Sequence, residues 1–291
     1  MLKVLVVTLL VCYSCMCWSA VTFRSERALV VDEGTGEVLL DKNADSAAPI
    51  ASMTKLMTLM VVLDQAQDPD EMLTVQRSDR DSRERIKTCL PVGSMLPRHT
   101  MVTLALLASD NHAAAALART FDGGRAAFDA AMQQKIAQLN LTSTVIEEPT
   151  GLSPRNTASA QDLVKMLTAA EAYPEITEAT SQASLSILVN GHVRDVHNTN
   201  GLVGSPGWDI SLSKTGTTLA AGRCLAMRIQ SAGRSVFVVL MGAVGRSARA
   251  IDALSVRRLL TGQAPPALQT REVLGPKLSR GRVKSTRVAA L

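Results

Sequence analysis

The sequence predicts an α/β (α+β) fold in which helices cover a mainly antiparallel sheet and a helical lobe is inserted through the middle. Two observations predict this fold. Short apolar runs bounded by turn residues occur near both ends of the body, which is typical of strands that meet in one sheet. Between them, residues Thr100 to Ala169 are rich in Ala, Leu and Met at helical spacing.

The elements follow from these patterns in chain order. Strands are predicted at Ala28 to Asp32 and Val38 to Asp41, joined by the turn residues Gly34-Thr35-Gly36. The segment from Ile50 to Leu63 is apolar almost all round, which predicts a helix buried on most sides. Further helices are predicted at Met101 to Ala108, His112 to Phe121, Arg125 to Leu139, Ala160 to Ala169 and Ala248 to Leu260. Later strands are predicted at Ser184 to Val189, Ile210 to Thr218, Arg223 to Ile229 and Ser235 to Gly242.

The 291-residue chain divides into a leader, a body and a tail. Residues 1–19 place one lysine before a short apolar run and end in small residues, which predicts a secretory signal peptide cleaved after Ser19. Residues 263–291 contain six Lys and Arg against one acidic residue, with three prolines, and predict a flexible basic tail. Residues 20–262 suit one large domain. The sequence leaves open whether Cys89 and Cys224 form a disulfide.

Two functional classes are disfavoured by composition. The excess positive charge is confined to the tail and aromatic residues are 3% of the chain, so we expect no nucleic-acid partner. The four histidines lack the His-Glu-x-x-His spacing of a helical zinc site, so we expect no metal site and no other cofactor.

The first motif with chemical meaning is Ser52-Met53-Thr54-Lys55. Three residues make almost one helical turn, so Ser52 and Lys55 share a face within hydrogen-bond reach. An apolar setting and the positive end of the helix dipole both favour the neutral amine, which can accept the proton of a serine nucleophile. The plain alternative is an N-cap serine with a lysine that reaches to solvent, and a second match, Ser211-Leu212-Ser213-Lys214, shows how weak the motif is alone.

The second motif, Ser109-Asp110-Asn111, lies between two predicted helices. These residue types are favoured helix caps, which explains them without any function. The functional interpretation gives Ser109 a proton-relay role, and it gives Asn111 an amide that holds both a substrate carbonyl and Lys55.

The third motif, Lys214-Thr215-Gly216, lies inside a predicted strand, where lysine and glycine are both unfavourable. A glycine would let a substrate peptide lie alongside as an added strand, and Lys214 and Thr215 suit a carboxylate of that ligand. A lysine that protects a sheet edge from aggregation explains Lys214 but not its neighbours.

Together, and in this order, the three motifs form a known signature, and the sequence resembles the penicillin-recognising serine D,D-peptidases over about residues 27–260. The resemblance extends to Glu148-Pro149-Thr150-Gly151-Leu152, Asn198-Thr199-Asn200 and Ala221-Gly222-Arg223-Cys224-Leu225. It implies the β-lactamase/D,D-peptidase-like fold. It also implies that Ser52 is acylated, Lys55 accepts its proton and Ser109 relays it. Lys214 and Thr215 would contact the substrate carboxylate, and the backbone N–H groups of Ser52 and Thr217 would form the oxyanion hole. Thr217 departs from the bulkier residue, such as His, that is common there in the carboxypeptidases.

Within this family the expected activity is D-alanyl-D-alanine endopeptidase. Carboxypeptidases of this type usually add a second, all-β domain and an amphipathic helix, whereas this body ends near Gly262. D-alanyl-D-alanine carboxypeptidase is the alternative. The Glu-x-x-Leu-Asn pattern of class A β-lactamases is absent, so β-lactams should inhibit the protein covalently. A non-catalytic penicillin-binding sensor would need a membrane-spanning transducer, and nothing after residue 20 has the required length and apolarity.

The expected partners are peptidoglycan stem peptides and the expected location is the periplasm. Weak attraction of the basic tail to the anionic cell envelope is a further hypothesis.

Overall fold

The structure is a computed structural model that describes residues 23–81 and 88–262. The predicted signal peptide, residues 1–19, and the predicted tail, residues 263–291, lie outside the described residues, as do Cys12, Cys15 and Cys17.

An antiparallel five-stranded sheet with the order β2-β1-β11-β10-β9 forms the centre of the fold. The strands are β1 Arg27–Asp32, β2 Val38–Lys42, β3 Ala48–Pro49, β4 Met72–Thr74, β5 Met95–Pro97, β6 Thr157–Ala158, β7 Ser184–Val189, β8 His192–His197, β9 Asp209–Thr218, β10 Gly222–Ser231 and β11 Arg234–Ala243. Because the first and last strands of the body meet in this sheet, the predicted fold class is confirmed. Strand β9 lies at one edge of the sheet.

Helices supply the covering layers and the inserted lobe. They are α1 Thr54–Leu63, α2 Arg98–Leu107, α3 Asn111–Arg119, α4 Gly124–Gln138, α5 Ala160–Ala170, α6 Pro174–Ser181 and α7 Ala248–Leu260. Single-turn 3₁₀ helices occur at Ala51–Met53 and Arg77–Asp79. Helices α2 to α6 lie between β2 and β9 in the chain, as the helical lobe was predicted to do.

Each face of the sheet is buried against a helix. Along β10, Cys224 and Ala226 join the larger apolar core beneath α1 and α5, whereas Leu225 and Met227 join the core under α7. This strict alternation is the period-2 pattern of a strand with two buried faces. The sheet is therefore a central layer with helices on both sides.

The strand predicted at Ser184 to Val189 forms, but outside the central sheet. It pairs with β8 as a separate hairpin, whose two-residue turn uses Asn190 at φ 50° and Gly191 at φ 78°. Two successive positive φ values are those of a type I′ turn, which makes the two strands pair with each other. The short helix α6 and strand β8 were not predicted from the sequence.

Within the described residues, every helix is too short or too polar to cross a membrane.

Candidate active site

The turn that carries Ser52 is a single 3₁₀ turn that leads directly into α1. Ala51 has a positive φ of 48°, a region that costs energy for a residue with a Cβ atom. The Thr54 hydroxyl donates a 2.8 Å hydrogen bond to the carbonyl oxygen of Ala51 and so holds the turn. Ser52 is half-buried between Ala51 and Met53, which are both buried.

Lys55 lies one turn further along and is completely buried. Its Nζ is 3.0 Å from the hydroxyl of Ser52, 2.6 Å from Oδ1 of Asn111 and 2.7 Å from the carbonyl oxygen of Thr150. The predicted pairing of Ser52 and Lys55 on one face of the helix is therefore present, and Asn111 contacts Lys55 as expected. An amine this close to a serine hydroxyl is placed to accept its proton.

The loop between α2 and α3 presents Ser109 in the left-handed region, at φ 58°. Asp110 caps α3, because its Oδ1 accepts a 3.0 Å hydrogen bond from the backbone N–H of Ala113. Its Oδ2 accepts hydrogen bonds from the backbone N–H of Cys89 at 3.0 Å and from the Thr88 hydroxyl. Helix capping thus explains Asp110, but it does not explain Ser109 or Asn111. No hydrogen bond joins Ser109 to Ser52 or Lys55 in the described part of the chain.

Gly216 on β9 lies directly against the Ser52 turn. A Cβ atom at this position would be 2.7 Å from the carbonyl oxygen of Ile50 and 3.2 Å from the backbone nitrogen of Ser52. The need for glycine therefore comes from the protein's own backbone, whereas the sequence suggested a substrate strand. Because β9 is an edge strand, its outer side still has room for an added peptide.

Lys214, on the same strand, is also buried, with 1% of its area exposed. Burial lowers the pKa of its ammonium well below the ordinary value, and the positive charges of Lys55 and Arg249 lower it further. Its Nζ donates a 3.3 Å hydrogen bond to the carbonyl oxygen of Thr215. Lys214 lies two residues before Gly216 in β9, so its side chain is on the face of the strand that lies against the Ser52 turn.

On the other face of β9, Thr217 is exposed and Thr215 is buried, and the two threonines meet two residues that the three motifs did not include. Thr215 donates a 2.7 Å hydrogen bond to the hydroxyl of Thr199. Arg249, at the start of α7, lies 3.5 Å from the hydroxyl of Thr217 and donates to the carbonyl oxygen of Thr199 at 3.3 Å. A lone arginine near the start of a helix gives no sequence signal, because only the packing of α7 under the sheet brings it here.

The segment Glu148 to Gly151 completes the site, although the sequence assigned it no role. The Glu148 carboxylate accepts hydrogen bonds from the backbone N–H groups of Thr150 at 2.8 Å and Gly151 at 2.7 Å. It also accepts from the backbone N–H of Ser153, the Thr150 hydroxyl and the side-chain amide of Asn156. A side chain at Gly151, which has φ 88°, would lie 2.0 Å from the carbonyl oxygen of Ala51. The carboxylate thus folds a tight loop that turns the carbonyl of Thr150 toward Lys55.

Cys89 and Cys224 are both free thiols, which answers the question that the sequence left open. Cys89 donates a 3.0 Å hydrogen bond to Oδ2 of Asp110, and burial together with the charge of Asp110 raises the pKa of this thiol. Cys224 is buried opposite Gly216 in the sheet. Among residues 23–81 and 88–262, no group of three or more His, Cys, Asp or Glu side chains is placed to hold a metal ion.

Comparison with known proteins indicates the same family as the three motifs. The family described as D-alanyl-D-alanine carboxypeptidase matches residues 16–245. The chain is 40% identical over 242 residues to the D-alanyl-D-alanine endopeptidase of Pseudomonas aeruginosa, covering 82% of this chain and 78% of the relative. It is 39% identical over 245 residues to the D-alanyl-D-alanine endopeptidase of Escherichia coli, covering 83% and 79%.

The fold is also similar to that of solved structures. A variant of a Streptomyces DD-transpeptidase superposes with a TM-score of 0.75 and 26% identity, covering 83% of this chain and 99% of that chain. The match between motifs, fold and relatives extends over most of the body. This chain belongs to the D-alanyl-D-alanine carboxypeptidase family of serine D,D-peptidases, which are hydrolases.

Proposed function

We propose that this protein is a D-alanyl-D-alanine endopeptidase that cleaves peptide cross-links of peptidoglycan through an acyl-enzyme on Ser52. The observation that carries the proposal is the 3.0 Å contact between Ser52 Oγ and the fully buried Nζ of Lys55. In its neutral form, the Lys55 amine is close enough at this distance to take the serine proton.

The acylation step follows from this pair. Lys55 takes the proton of Ser52, Ser52 Oγ bonds to the carbonyl carbon of D-alanine, and the carbonyl π electrons move onto the oxygen. The backbone N–H groups of Ser52 and Thr217 stabilise that oxyanion. When the tetrahedral intermediate collapses, the bond to nitrogen breaks, Ser109 gives its hydroxyl proton to the leaving amine, and Ser109 takes up the proton that Lys55 accepted from Ser52. Water then attacks the ester, and its hydrolysis releases the acyl product and restores Ser52.

The part of the substrate that leaves with the amine would be recognised by side chains next to Gly216. The carboxylate next to the cleaved bond would accept hydrogen bonds from Thr215 and Thr217, with the positive charge of Arg249 beside Thr217. Lys214, which is buried on the face of β9 next to the Ser52 turn, would add positive charge in its protonated form. Asn111 would hold the amide of the acyl side while it contacts Lys55.

Glu148 is not available to activate water for rapid hydrolysis of a β-lactam adduct. Its carboxylate accepts hydrogen bonds from the N–H groups of Thr150, Gly151 and Ser153, which occupy both oxygens. A carboxylate held in this way structures the loop and has little capacity left to act as a base. The penicilloyl ester on Ser52 should therefore persist, and β-lactams should inhibit the enzyme.

The endopeptidase assignment rests on the relatives with 40% and 39% identity, which are both named endopeptidases. The carboxypeptidase alternative rests on the description of the family as a whole. Digestion of purified muropeptides separates the two. We expect cross-linked dimers to be converted to monomers and the Ser52→Ala variant to leave them intact. Release of free D-alanine from pentapeptides with no loss of dimers would instead identify a carboxypeptidase.

The same proposal places the protein in the periplasm, with residues 1–19 as its export signal. The basic segment 263–291 is proposed to give weak attraction to the anionic envelope. Both segments lie outside the described residues. Loss of envelope association at low salt when residues 263–291 are deleted would support this role, and an unchanged distribution would contradict it.

A further inference from the structure

Two arginines meet just past the Lys214-Thr215-Gly216 motif, one on the neighbouring strand β10 and one on helix α7. Arg223 on β10 lies opposite Thr217 on β9, so the two side chains share one face of the sheet. Arg249 approaches the same threonine from α7, at 3.5 Å from its hydroxyl. Lys214 points to the opposite face of β9, so the positive charges that meet at Thr217 are those of Arg249 and Arg223.

These two arginines have no carboxylate partner among residues 23–81 and 88–262. Arg249 donates to the carbonyl oxygens of Thr199 and Cys224, and Arg223 forms no ion pair there. The pKa of Arg249 is lowered by burial and then by the charge of Arg223, so the two guanidinium groups lie within interaction distance of each other. By contrast, Arg119 and Arg234 each pair with an aspartate. Two half-buried like charges without counterions are an arrangement that an anionic ligand stabilises.

The two arginines lie at different distances from the reacting serine. Arg249 contacts Thr217 and Thr199, which places it beside the carboxylate next to the cleaved amide. Arg223 belongs to the next strand, about 4.8 Å further from the nucleophile. Leu219, which is fully exposed in the turn between β9 and β10, adds apolar surface at this end of the sheet. The end of the sheet thus suits a leaving group with an aliphatic chain and an additional carboxylate.

We propose that Arg223 is a specificity-determining residue, which binds a second carboxylate on the amine side of the cleaved bond. This inference rests on the proposed peptidase function and names the substrate class of the site. Free D-alanine as a leaving group has one carboxylate, which Thr215, Thr217 and Arg249 serve. The amine side of a cross-link belongs to another stem peptide, which carries further carboxylates. Arg223 therefore favours cross-link cleavage over removal of a terminal D-alanine.

The test uses two acyl-D-alanyl substrates that differ only in the distant end of the leaving residue. One releases D-2-aminoadipate, which has a side-chain carboxylate, and the other releases D-norleucine, in which a methyl group replaces that carboxylate. A charge-assisted hydrogen bond predicts that wild-type kcat/KM favours the aminoadipate substrate by about tenfold or more. Arg223→Gln should reduce this ratio to near one, and Arg223→Lys should keep part of it.

Arg246 supplies the matched control, because it is an exposed arginine at the same end of the molecule. Arg246→Gln removes the same charge and should leave the ratio unchanged. A wild-type ratio near one, an unchanged ratio in Arg223→Gln, or an equal loss in Arg246→Gln would each overturn the inference. Competition of each substrate with penicillin for labelling of Ser52 gives a second measurement, which should show the same preference for the aminoadipate substrate. Failure of the endopeptidase proposal is distinguishable, since it is an absence of dimer cleavage by the wild-type enzyme.

Discussion

Two Ser-x-x-Lys tetrapeptides in this chain have the same residue types at the same spacing, but only one forms a serine–lysine pair. In Ser52-Met53-Thr54-Lys55 the helical turn brings the hydroxyl and the amine to 3.0 Å. In Ser211-Leu212-Ser213-Lys214 the chain is a strand, which separates the first and fourth residues by about 10 Å. Ser211 instead accepts a 3.0 Å hydrogen bond from Arg228.

The difference shows that the motif gains its chemistry from the backbone around it. The second lysine also belongs to the site, because β9 passes beside the Ser52 turn and brings Lys214 close enough for the charge of Lys55 to lower its pKa. The same four residue types therefore form a hydrogen-bonded serine–lysine pair in one place and contribute a single buried lysine in the other. Substitutions at three places test this comparison.

The largest effect is expected at the two serines. Ser52→Ala should abolish the covalent adduct with labelled penicillin, because no hydroxyl remains to be acylated. Ser211→Ala should retain the adduct and lose about 1 kcal/mol of unfolding free energy at most, through the hydrogen bond to Arg228. Gel detection of the adduct and urea unfolding measure the two effects. An adduct that persists in Ser52→Ala would refute the assignment of the nucleophile.

An intermediate effect is expected at Lys214. Lys214→Met should slow acylation by penicillin by about 10²-fold, because a positive charge next to the reacting groups is lost. It should also stabilise the fold, because a buried charge with a lowered pKa is replaced by an apolar chain of similar length.

This gain in stability should depend on pH with a defined sign. With its pKa lowered in the folded state, Lys214 binds fewer protons there than in the unfolded chain, at pH values between the folded pKa and the ordinary 10.5. The unfolding free energy of the wild type therefore rises with pH across this window. The advantage of Lys214→Met should be largest at low pH and shrink toward pH 10.5. Urea unfolding over a pH series would detect the trend, and an advantage that grows with pH would contradict it.

The smallest effect is expected at the loop that holds Lys55. Glu148→Gln replaces one acceptor oxygen by an NH₂ group that faces N–H donors, including those of Thr150 and Gly151. It should lower the unfolding free energy by about 1–3 kcal/mol and slow acylation by about tenfold. Glu147→Gln is the control, since the pair with exposed Arg155 contributes about 1 kcal/mol or less. Its hydrogen bond from the Ser153 hydroxyl can also be accepted by the amide oxygen of glutamine. Equal effects of the two substitutions would mean that Glu148 does not position the carbonyl of Thr150.

Patterns with a strong period were predicted well from the sequence. Helix α7 has the predicted bounds, Ala248 to Leu260, and the strands of the central sheet differ from their predicted ends by two residues at most. Helix α6 and strand β8 were missed because they are short and their apolar residues follow no clear period. The sequence also did not show that β7 would pair in a separate hairpin, because which strands pair depends on a turn and not on apolar content.

The site residues also divide into those that the sequence indicated and those that only the structure revealed. Ser52, Lys55, Ser109, Asn111 and Lys214 could be named from the sequence, because each belongs to a short motif whose spacing has a chemical meaning. Glu148 and Thr199 lie in segments that carry the family resemblance, but the sequence assigned them no role, and it did not indicate Arg249 at all, because these residues reach the site through contacts between distant parts of the chain. Gly216 was named with an incomplete reason, since only the packed structure shows which backbone approaches it.

By itself, the sequence determined the fold class and the family and predicted the nucleophile and its base, because periodicity and motif spacing are local properties of a chain. The tertiary structure decided which Ser-x-x-Lys tetrapeptide forms the serine–lysine pair and how Glu148 turns a carbonyl toward Lys55. It also decided that Arg223 and Arg249 lie close together without a carboxylate partner in the described part of the chain. These arrangements depend on strands, helices and loops that meet only when the two cores close around the sheet, so no local pattern could record them.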